Sequence, residues 1–296
     1  MIRLEDVKMH FTVRKGLFKT ATMKAVDGVS LKIGKGEIVA LVGESGSGKT
    51  TLGRLTLRLL QPTAGRIFFE NQDITNLHEA KLKLFRRRVQ AVFQDPYSSI
   101  DPFMNIYQIV EEPLVIHRIG DEKQRREHVY KTLEDVRLTP PQDYAEKYPH
   151  MLSGGQRQRV GIARALVLNP EYIMADEPVS MIDASSRVEI LQLLKRLQET
   201  YNISFLYITH DIATARYFSD RVSVMYRGRV VESGPSEKVI EKPLHPYTKQ
   251  LIAAVPEPDP SNRFRERSVV ETGSFDNEDA DLVEVEPDHY VAGFKK

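Results

Sequence analysis

The sequence predicts an α/β protein, and three observations predict it. Short apolar runs at residues 38–42, 172–175 and 203–208 have the length and unbroken hydrophobicity of strands buried on both faces. Segments with apolar residues at helical spacing follow the first two. Between the first run and its helix stands Gly43-Glu44-Ser45-Gly46-Ser47-Gly48-Lys49-Thr50, a phosphate-binding loop in the strand–loop–helix setting that such a loop requires. Its glycines let backbone N–H groups turn inward on phosphates, and the helix at residues 51–60 adds the positive end of its dipole. Lys49 would reach the outer phosphates of a nucleoside triphosphate, and the Thr50 hydroxyl would sit on Mg²⁺. A glycine-rich turn with a chance lysine would not fill every fixed position between the right flanking elements.

At 296 residues the chain holds one large α/β domain with an appendage, or two small domains, with a substantial core either way. Its 42 basic and 41 acidic residues nearly cancel, so overall charge gives no argument for nucleic acid or an anionic membrane surface. The absence of cysteine excludes disulfides, thiolate nucleophiles and thiolate-held metal or iron–sulfur sites. The first residues lack the segments of a secretion signal, and no apolar run approaches the roughly 18 residues needed to span a bilayer. The expectation is an intracellular chain that does not itself cross a membrane.

Residues 4–11 read as an edge strand, 29–33 as a second, and 14–19 between them as a basic hairpin or loop. Phe11 is a candidate for stacking on a nucleotide base, although a strand-end aromatic taken alone favours core packing. Residues 65–69 form another strand, and 89–93 an apolar one that stops at Gln94-Asp95-Pro96, because proline disfavours regular continuation. From about 96 to 150 the pattern changes to helices broken by Pro102, Pro113 and Pro140-Pro141, which reads as a helical insertion. Arg86-Arg87-Arg88 and Arg125-Arg126 sit amid acidic neighbours and read as solvated faces.

Leu152-Ser153-Gly154-Gly155-Gln156 opens a helix with Val160, Ala163, Leu166 and Val167 on one side. Ser153 and Gln156 satisfy a capping box, which is an ordinary helix start. The two glycines go beyond it, since they bare N–H groups at a positive helix end for close approach by phosphate. Residues 172–177 form a buried strand ending in Asp176 and Glu177, where open α/β sheets place their ligand sites. Asp176 would hold Mg²⁺ directly or through water, and Glu177 would take a proton from water. A helix at 186–200 packs through Ile190, Leu191, Leu194 and Leu197, and the strand at 203–208 delivers His210, whose place at the end of this sheet favours chemistry over a structural role. Strands at 221–226 and 229–232, turned at Arg227-Gly228, complete the domain. Beyond Gly234 come a short helical region, His245-Pro246-Tyr247, a proline-punctuated linker at 256–260 and an acidic segment at 277–288 that is either docked or disordered.

Taken together, the phosphate loop, Gln94, the run from Leu152 to Gln156, Asp176-Glu177, Asp183 and His210 resemble the ATP-binding subunits of ABC transporters over about residues 1–234. The resemblance implies a P-loop nucleotide-binding domain with an antiparallel β subdomain, a helical subdomain at about 96–150 and a C-terminal extension at 235–296. It also implies an ATP sandwich, in which two subunits face head to tail and each ATP lies between one phosphate loop and the other subunit's signature sequence. Phe11 would then stack on adenine, and Gly43, Glu44, Ser45, Gly46, Ser47, Gly48, Lys49, Thr50 and Thr51 would hold the phosphates. Thr50, Gln94 and Asp176 would form the Mg²⁺ shell. Glu177 becomes the general base, His210 the γ-phosphate sensor and Asp183 a contact across the dimer, while Ser153, Gly154, Gly155 and Gln156 serve the partner's ATP.

The run from Phe93 to Pro102 and His245-Pro246-Tyr247-Thr248 are similar to the oligopeptide, dipeptide and nickel importers, whose relatives include oligosaccharide carriers. Two departures stand out. Met181-Ile182 precedes Asp183 where alanine-leucine is usual, and the cysteines of that group's C-terminal iron–sulfur motif are missing, so no cluster is expected. The implied partners are a second ATPase subunit, identical or not, two membrane-spanning permeases and, indirectly, an extracellular substrate-binding protein, all at the cytoplasmic face of the membrane and without nucleic acid. A soluble ABC ATPase acting on ribosomes or DNA is the alternative; it would carry a second nucleotide domain, a coiled-coil arm or zinc ligands. A regulator without turnover is opposed by Glu177 and His210. The choice among peptide, sugar and metal stays open, because permease and binding protein select the cargo. In the tail, Phe275, Leu282, Val283, Val285, Tyr290 and Val291 are expected to dock on the domain or on a partner.

Overall fold

The computed structural model describes residues 1–15, 19–95, 100–254 and 281–293. The turn at 16–18, the proline stop at Pro96, the linker at 256–260 and Phe275 lie outside the described residues. The chain begins with a long hairpin, β1 (Ile2–Lys15) and β2 (Lys19–Ile33), then β3 (Ile38–Val42), α1 (Lys49–Thr56), β4 (Ala64–Phe69), β5 (Gln72–Asp73), α2 (Glu79–Arg88) and β6 (Val89–Val92). A helical stretch follows: α3 (Ile106–Ile116), α4 (Glu122–Asp135), α5 (Pro141–Ala145) and α6 (Gly154–Leu166). Strands and helices then alternate through β7 (Tyr172–Asp176), α7 (Ala184–Tyr201), β8 (Ser204–Thr209), α8 (Ile212–Phe218), β9 (Arg221–Tyr226) and β10 (Arg229–Pro235). Two short helices, α9 (Ser236–Glu241) and α10 (Pro246–Ala253), and the hairpin β11 (Leu282–Glu286) and β12 (His289–Ala292) end the described chain.

Two sheets result. The smaller has the order β2-β1-β4-β5; the larger runs β11-β12-β10-β9-β3-β8-β7-β6 and is parallel from β9 to β6. Period-two alternation divides the central strands between two cores. Ile38, Ala40 and Val42 of β3 join Ile173, Ala175, Phe205 and Tyr207 in the core under the helices. Val39 and Leu41 join Met174, Leu206 and Ile208 in the core beneath α1 and the small sheet. Each fully buried aliphatic or aromatic side chain there contributes roughly 1.5–3 kcal/mol, so both faces need apolar residues and the strands read as unbroken runs.

Several expectations change. β1 is an inner strand, not an edge: it pairs β2 on one side and, from Ile2↔Phe69 to Lys8↔Ala64, β4 on the other. β2 starts ten residues before the expected strand, because pairing with β1 extends it through the polar stretch 19–27. Pro113 does not break α3. The helix runs three residues past it, with Ile109, Val110, Pro113 and Leu114 buried; that packing offsets the backbone bond which proline cannot donate. α1 ends at Thr56 instead of Leu60, because Arg58 takes a left-handed backbone and its guanidinium donates to the carbonyls of Ile74 and Leu60. Two arginines read as solvated also make ion pairs at the surface of the fold: Arg88 donates to Glu171 at 2.9 Å and Arg125 to Glu111 at 2.7 Å.

The C-terminal hairpin does dock. β12 pairs β10 at Glu232↔Val291 and Ser233↔Tyr290, which continues the large sheet. Val291 is buried and Leu282 packs on the second core, whereas Val283 points outward and is 48% exposed, contrary to expectation. Position in the sheet accounts for that: Val291 is on β12, which lies between β10 and β11, whereas its cross-strand partner Val283 is on the outermost strand and is left open to solvent.

Asp27 ties the small sheet to the large one. Its carboxylate accepts from Lys24 and Arg229 at 3.0 Å each and lies 3.1 Å from His10 Nε2. Burial pushes this carboxyl up, and the bonds from Lys24, His10 and Arg229 together outweigh it, leaving it at about 2 against an ordinary 3.8. A depressed carboxyl stabilises the fold fully above its unfolded value and stops doing so as pH falls through its folded one. Asp27→Asn is therefore expected to cost about 1–2 kcal/mol at neutral pH and at pH 5. In urea titrations the gap from wild type should close as the pH drops below about 4.

Candidate active site

Because β3, β8 and β7 are adjacent and parallel, their C-terminal ends open onto one place. Three stretches of sequence meet there. From β3 comes the loop. Gly43 has φ +151° and Gly48 φ +104°, and a Cβ would stand 2.2 Å from the Met225 carbonyl oxygen at Gly43 and 2.1 Å from that of Ala25 at Gly48. Both are backbone atoms, so no side chain can be accommodated. The Gly228 N–H donates to the Ser47 carbonyl at 2.9 Å, and the Asp27 N–H donates to the Gly228 carbonyl at 2.8 Å, so the β9–β10 turn joins the loop to the first hairpin. Glu44, Ser45 and Gly46 remain exposed at the loop's tip.

Lys49 folds back under the loop. Its ammonium donates to the carbonyls of Gly43 and Glu44, both at 2.7 Å, and is buried. Burial lowers its pKa, and the carboxylates of Glu177, Asp176 and Glu44 act in the opposite direction. Asp176, at the end of β7, is buried too, and its Oδ1 accepts from the Thr50 hydroxyl at 3.3 Å. Burial raises its pKa, which the Thr50 bond counters. A buried carboxylate beside a hydroxyl and a phosphate loop is a hard-oxygen site that suits Mg²⁺. Among the described residues there is no group of three or more acidic, histidine or cysteine side chains placed to cage a metal ion.

Glu177 lies one residue past β7 with φ +46°, its N–H donating to the Ile208 carbonyl at 2.9 Å. That bond fixes it against β8, whose next residues bring His210. His210 Nδ1 lies 3.0 Å from Glu177 Oε1, and the carboxylate is 20% exposed against 62% for the imidazole. Gln94 is exposed just past β6, the strand beyond β7. Phe11 is half-buried on β1 opposite Met23, two residues along from the Ala25 backbone that faces Gly48. Thr51 sits in the first turn of α1.

The remaining predicted residues form a second group. Ser153 caps α6 through the reciprocal box with Gln156, at 3.2 and 3.0 Å. Gly155 has an internal reason as well: a Cβ there would meet Ser186 Oγ at 3.2 Å, whereas Gly154 has ordinary clearance. Asp183 caps α7 through the Ser186 N–H at 2.9 Å, and its bonds from Ser185 and Ser186 hold its carboxyl at about 2. Among the described residues, no hydrogen bond or ion pair links the start of α6 to the phosphate loop.

The sequence profile of the ABC transporter family matches residues 26–180, just over half of the chain. The chain belongs to this family. A profile described as the oligopeptide/dipeptide transporter C-terminal region matches residues 231–277. Among relatives, this ABC ATPase is 48% identical over 259 residues to the oligopeptide transport ATP-binding protein AppF of Bacillus subtilis, covering 86% of this chain and 78% of that one. It is 42% identical to OppF of the same organism, another oligopeptide transport ATP-binding protein, over 98% of this chain and 95% of that one. A structure described as the dimeric structure of MJ0796, a bacterial ABC transporter cassette, matches with TM-score 0.70 at 33% identity, over 80% of this chain and 99% of that one.

Sequence reasoning missed Glu232 and Tyr247 as parts of this region. The sequence pattern ends a strand at Glu232, yet the residue is fully buried within β10. A charged residue directly after Val230-Val231 and inside a buried strand was the available signal, because such a group must find partners.

Gly48→Ala tests the loop geometry. The new methyl group has no space against the Ala25 carbonyl, so nucleotide affinity should fall at least tenfold while circular dichroism stays that of wild type. Unchanged affinity would mean that the loop can open away from the hairpin.

Proposed function

We propose that this chain is the ATP-hydrolysing subunit of an importer of oligopeptides or dipeptides, acting with a second ATPase subunit and two permeases at the cytoplasmic face of a membrane. Residues 1–234 are the ATPase unit in this reading, and 235–296 the extension. The observation that carries it is the convergence of Lys49, the Thr50–Asp176 pair and the Glu177–His210 pair at the ends of three adjacent strands. Relatives named for oligopeptide transport favour peptide over oligosaccharide as cargo.

In the reaction, the loop N–H groups and Lys49 hold the β- and γ-phosphates, and Phe11 stacks on the adenine. Thr50, Asp176 and Gln94 would hold Mg²⁺, which when bound would neutralise charge on the phosphates. Glu177 accepts a proton from a water molecule whose oxygen attacks the γ-phosphorus in line with the departing ADP oxygen. His210, hydrogen-bonded to Glu177 at 3.0 Å, orients that carboxylate and is exposed enough to reach the γ-phosphate. Ser153, Gly154, Gly155 and Gln156 are exposed or partly so, apart from the buried Gly155. With the capped helix N-terminus they suit phosphate brought by a partner subunit, and Asp183 lies beside them at the α7 cap. A groove between α2, α3 and α6, lined by Arg86, Gln90, Pro113, Ile116, His117 and Arg164, with Leu84 and Val115 exposed nearby, suits a cytoplasmic segment of a permease. No helix among the described residues is long and apolar enough to cross a membrane.

Glu177→Gln keeps the shape and loses the base. Hydrolysis should fall by about 10² or more while Mg²⁺-ATP still binds and dimers accumulate with it; near-normal turnover would remove the role given to Glu177. Two further variants separate the halves of the site. Lys49→Ala should weaken nucleotide binding to the monomer, and Ser153→Ala should leave that binding nearly intact while depressing dimer-dependent hydrolysis. Equal loss of monomer affinity in both variants would contradict the sandwich arrangement.

A further inference from the structure

The C-terminal extension reaches the phosphate loop through one side chain. Tyr247, in the first turn of α10 and 2% exposed, accepts a hydrogen bond from the Glu44 N–H at 3.0 Å, across 203 residues of sequence. That N–H belongs to the peptide group between Gly43 and Glu44, whose carbonyl oxygen accepts from the Lys49 ammonium at 2.7 Å. The two ends of one rigid peptide plane are therefore held by Tyr247 and by Lys49, and turning the plane moves the ammonium.

Tyr247 is itself fixed from behind. Its ring lies 4.3 Å, centroid to centroid, from that of Tyr226 on β9, and its N–H donates to His245 Nδ1 at 3.1 Å. Glu232, fully buried in β10, accepts the Leu244 and His245 N–H groups at 2.9 Å each and lies 2.8 Å from Nε2 of His289, the buried first residue of β12. A buried carboxylate holds such partners strongly, since losing one leaves charge unsatisfied in the interior. The contacts thus run without a gap from β12 through Glu232 and the turn at 244–245 to the phosphate loop.

We infer that Tyr247 is a positioning residue for Lys49, and that the C-terminal strand, acting through His289 and Glu232, sets the affinity of the phosphate loop for nucleotide. The inference rests on the reading of residues 43–50 as the ATP phosphate loop. Tyr247 touches neither the γ-phosphate nor the attacking water in that reading, so its loss acts on binding in ground and transition states alike.

The test uses the full chain, titrated with a fluorescent ATP analogue at a temperature well below unfolding, together with steady-state ATP hydrolysis. Tyr247→Phe removes the hydroxyl, and with it the acceptor for the Glu44 N–H, while keeping the ring, and should weaken binding roughly 3- to 10-fold, with KM rising by the same factor and kcat within about twofold of wild type. His289→Ala should act in the same direction, and His289→Gln, which can still donate to Glu232, should restore affinity. Affinity of Tyr247→Phe within twofold of wild type, or a fall in kcat at constant KM, overturns the assignment. Loss in Tyr247→Phe without loss in His289→Ala overturns the relay from β12. Wild-type protein that binds no ATP analogue would instead remove the reading of the loop, which keeps the two failures apart.

Discussion

A parallel strand buried on both faces can carry no unpaired charge along its length, so its chemistry is confined to its ends. β3, β7 and β8 are such strands, with every residue buried. Polar groups appear where each one stops: the glycine loop after Val42, Asp176 and Glu177 at the end of β7, and His210 after Thr209. The site is a consequence of that constraint together with strand order. Were β8 not seated between β3 and β7, His210 would not meet Glu177.

Burial at these ends then sets the electrostatics. Desolvation moves Lys49 and Asp176 away from their ordinary values in opposite directions, and each disfavours its own charged form. Two carbonyls and, at 3.5 Å, the Ser47 hydroxyl accept from the ammonium, and the Thr50 hydroxyl donates to the carboxylate, so both groups are held in place while burial still disfavours their charged forms. In the proposed reading, a polyanion carrying a divalent cation would bring negative charge beside Lys49 and positive charge beside Asp176. The same groups that cost folding energy without ligand therefore give affinity for nucleotide.

Away from the site, two buried carboxylates add directional bonds between parts of the molecule that also share apolar cores. Asp27 links the first hairpin to β10 through Lys24, His10 and Arg229, while Glu232 links β10 to the turn before α10 and to β12. Both connect onward to the phosphate loop, Asp27 through the Gly228 backbone and Glu232 through His245 and then Tyr247. The hairpin and the extension are thereby tied to the loop by hydrogen bonds.

Much of this was legible in the sequence, because the features concerned are local. Unbroken apolar runs marked β3, β7 and β8, and the glycines with Lys49 and Thr50 marked the loop between strand and helix. The same runs put Asp176, Glu177 and His210 at strand ends, where the structure has them. What could not be read depended on partners distant in the chain. β1 became an inner strand because β4 pairs with it, and polar residues of β2 became a strand because β1 does. Pro113 stays within α3 because its neighbours are buried. The tail supplied apolar residues for docking, but only pairing with β10 decided that Val291 is buried and Val283 exposed. Tyr247 had no signal of its own for the loop, since a hydrogen bond across 203 residues exists only after the sheet, the turn and the extension have closed on one another. Composition and spacing determined which residues could do the chemistry; tertiary structure decided which of them touch, because hydrogen bonds and strand pairing act over a few ångströms whatever the separation along the chain.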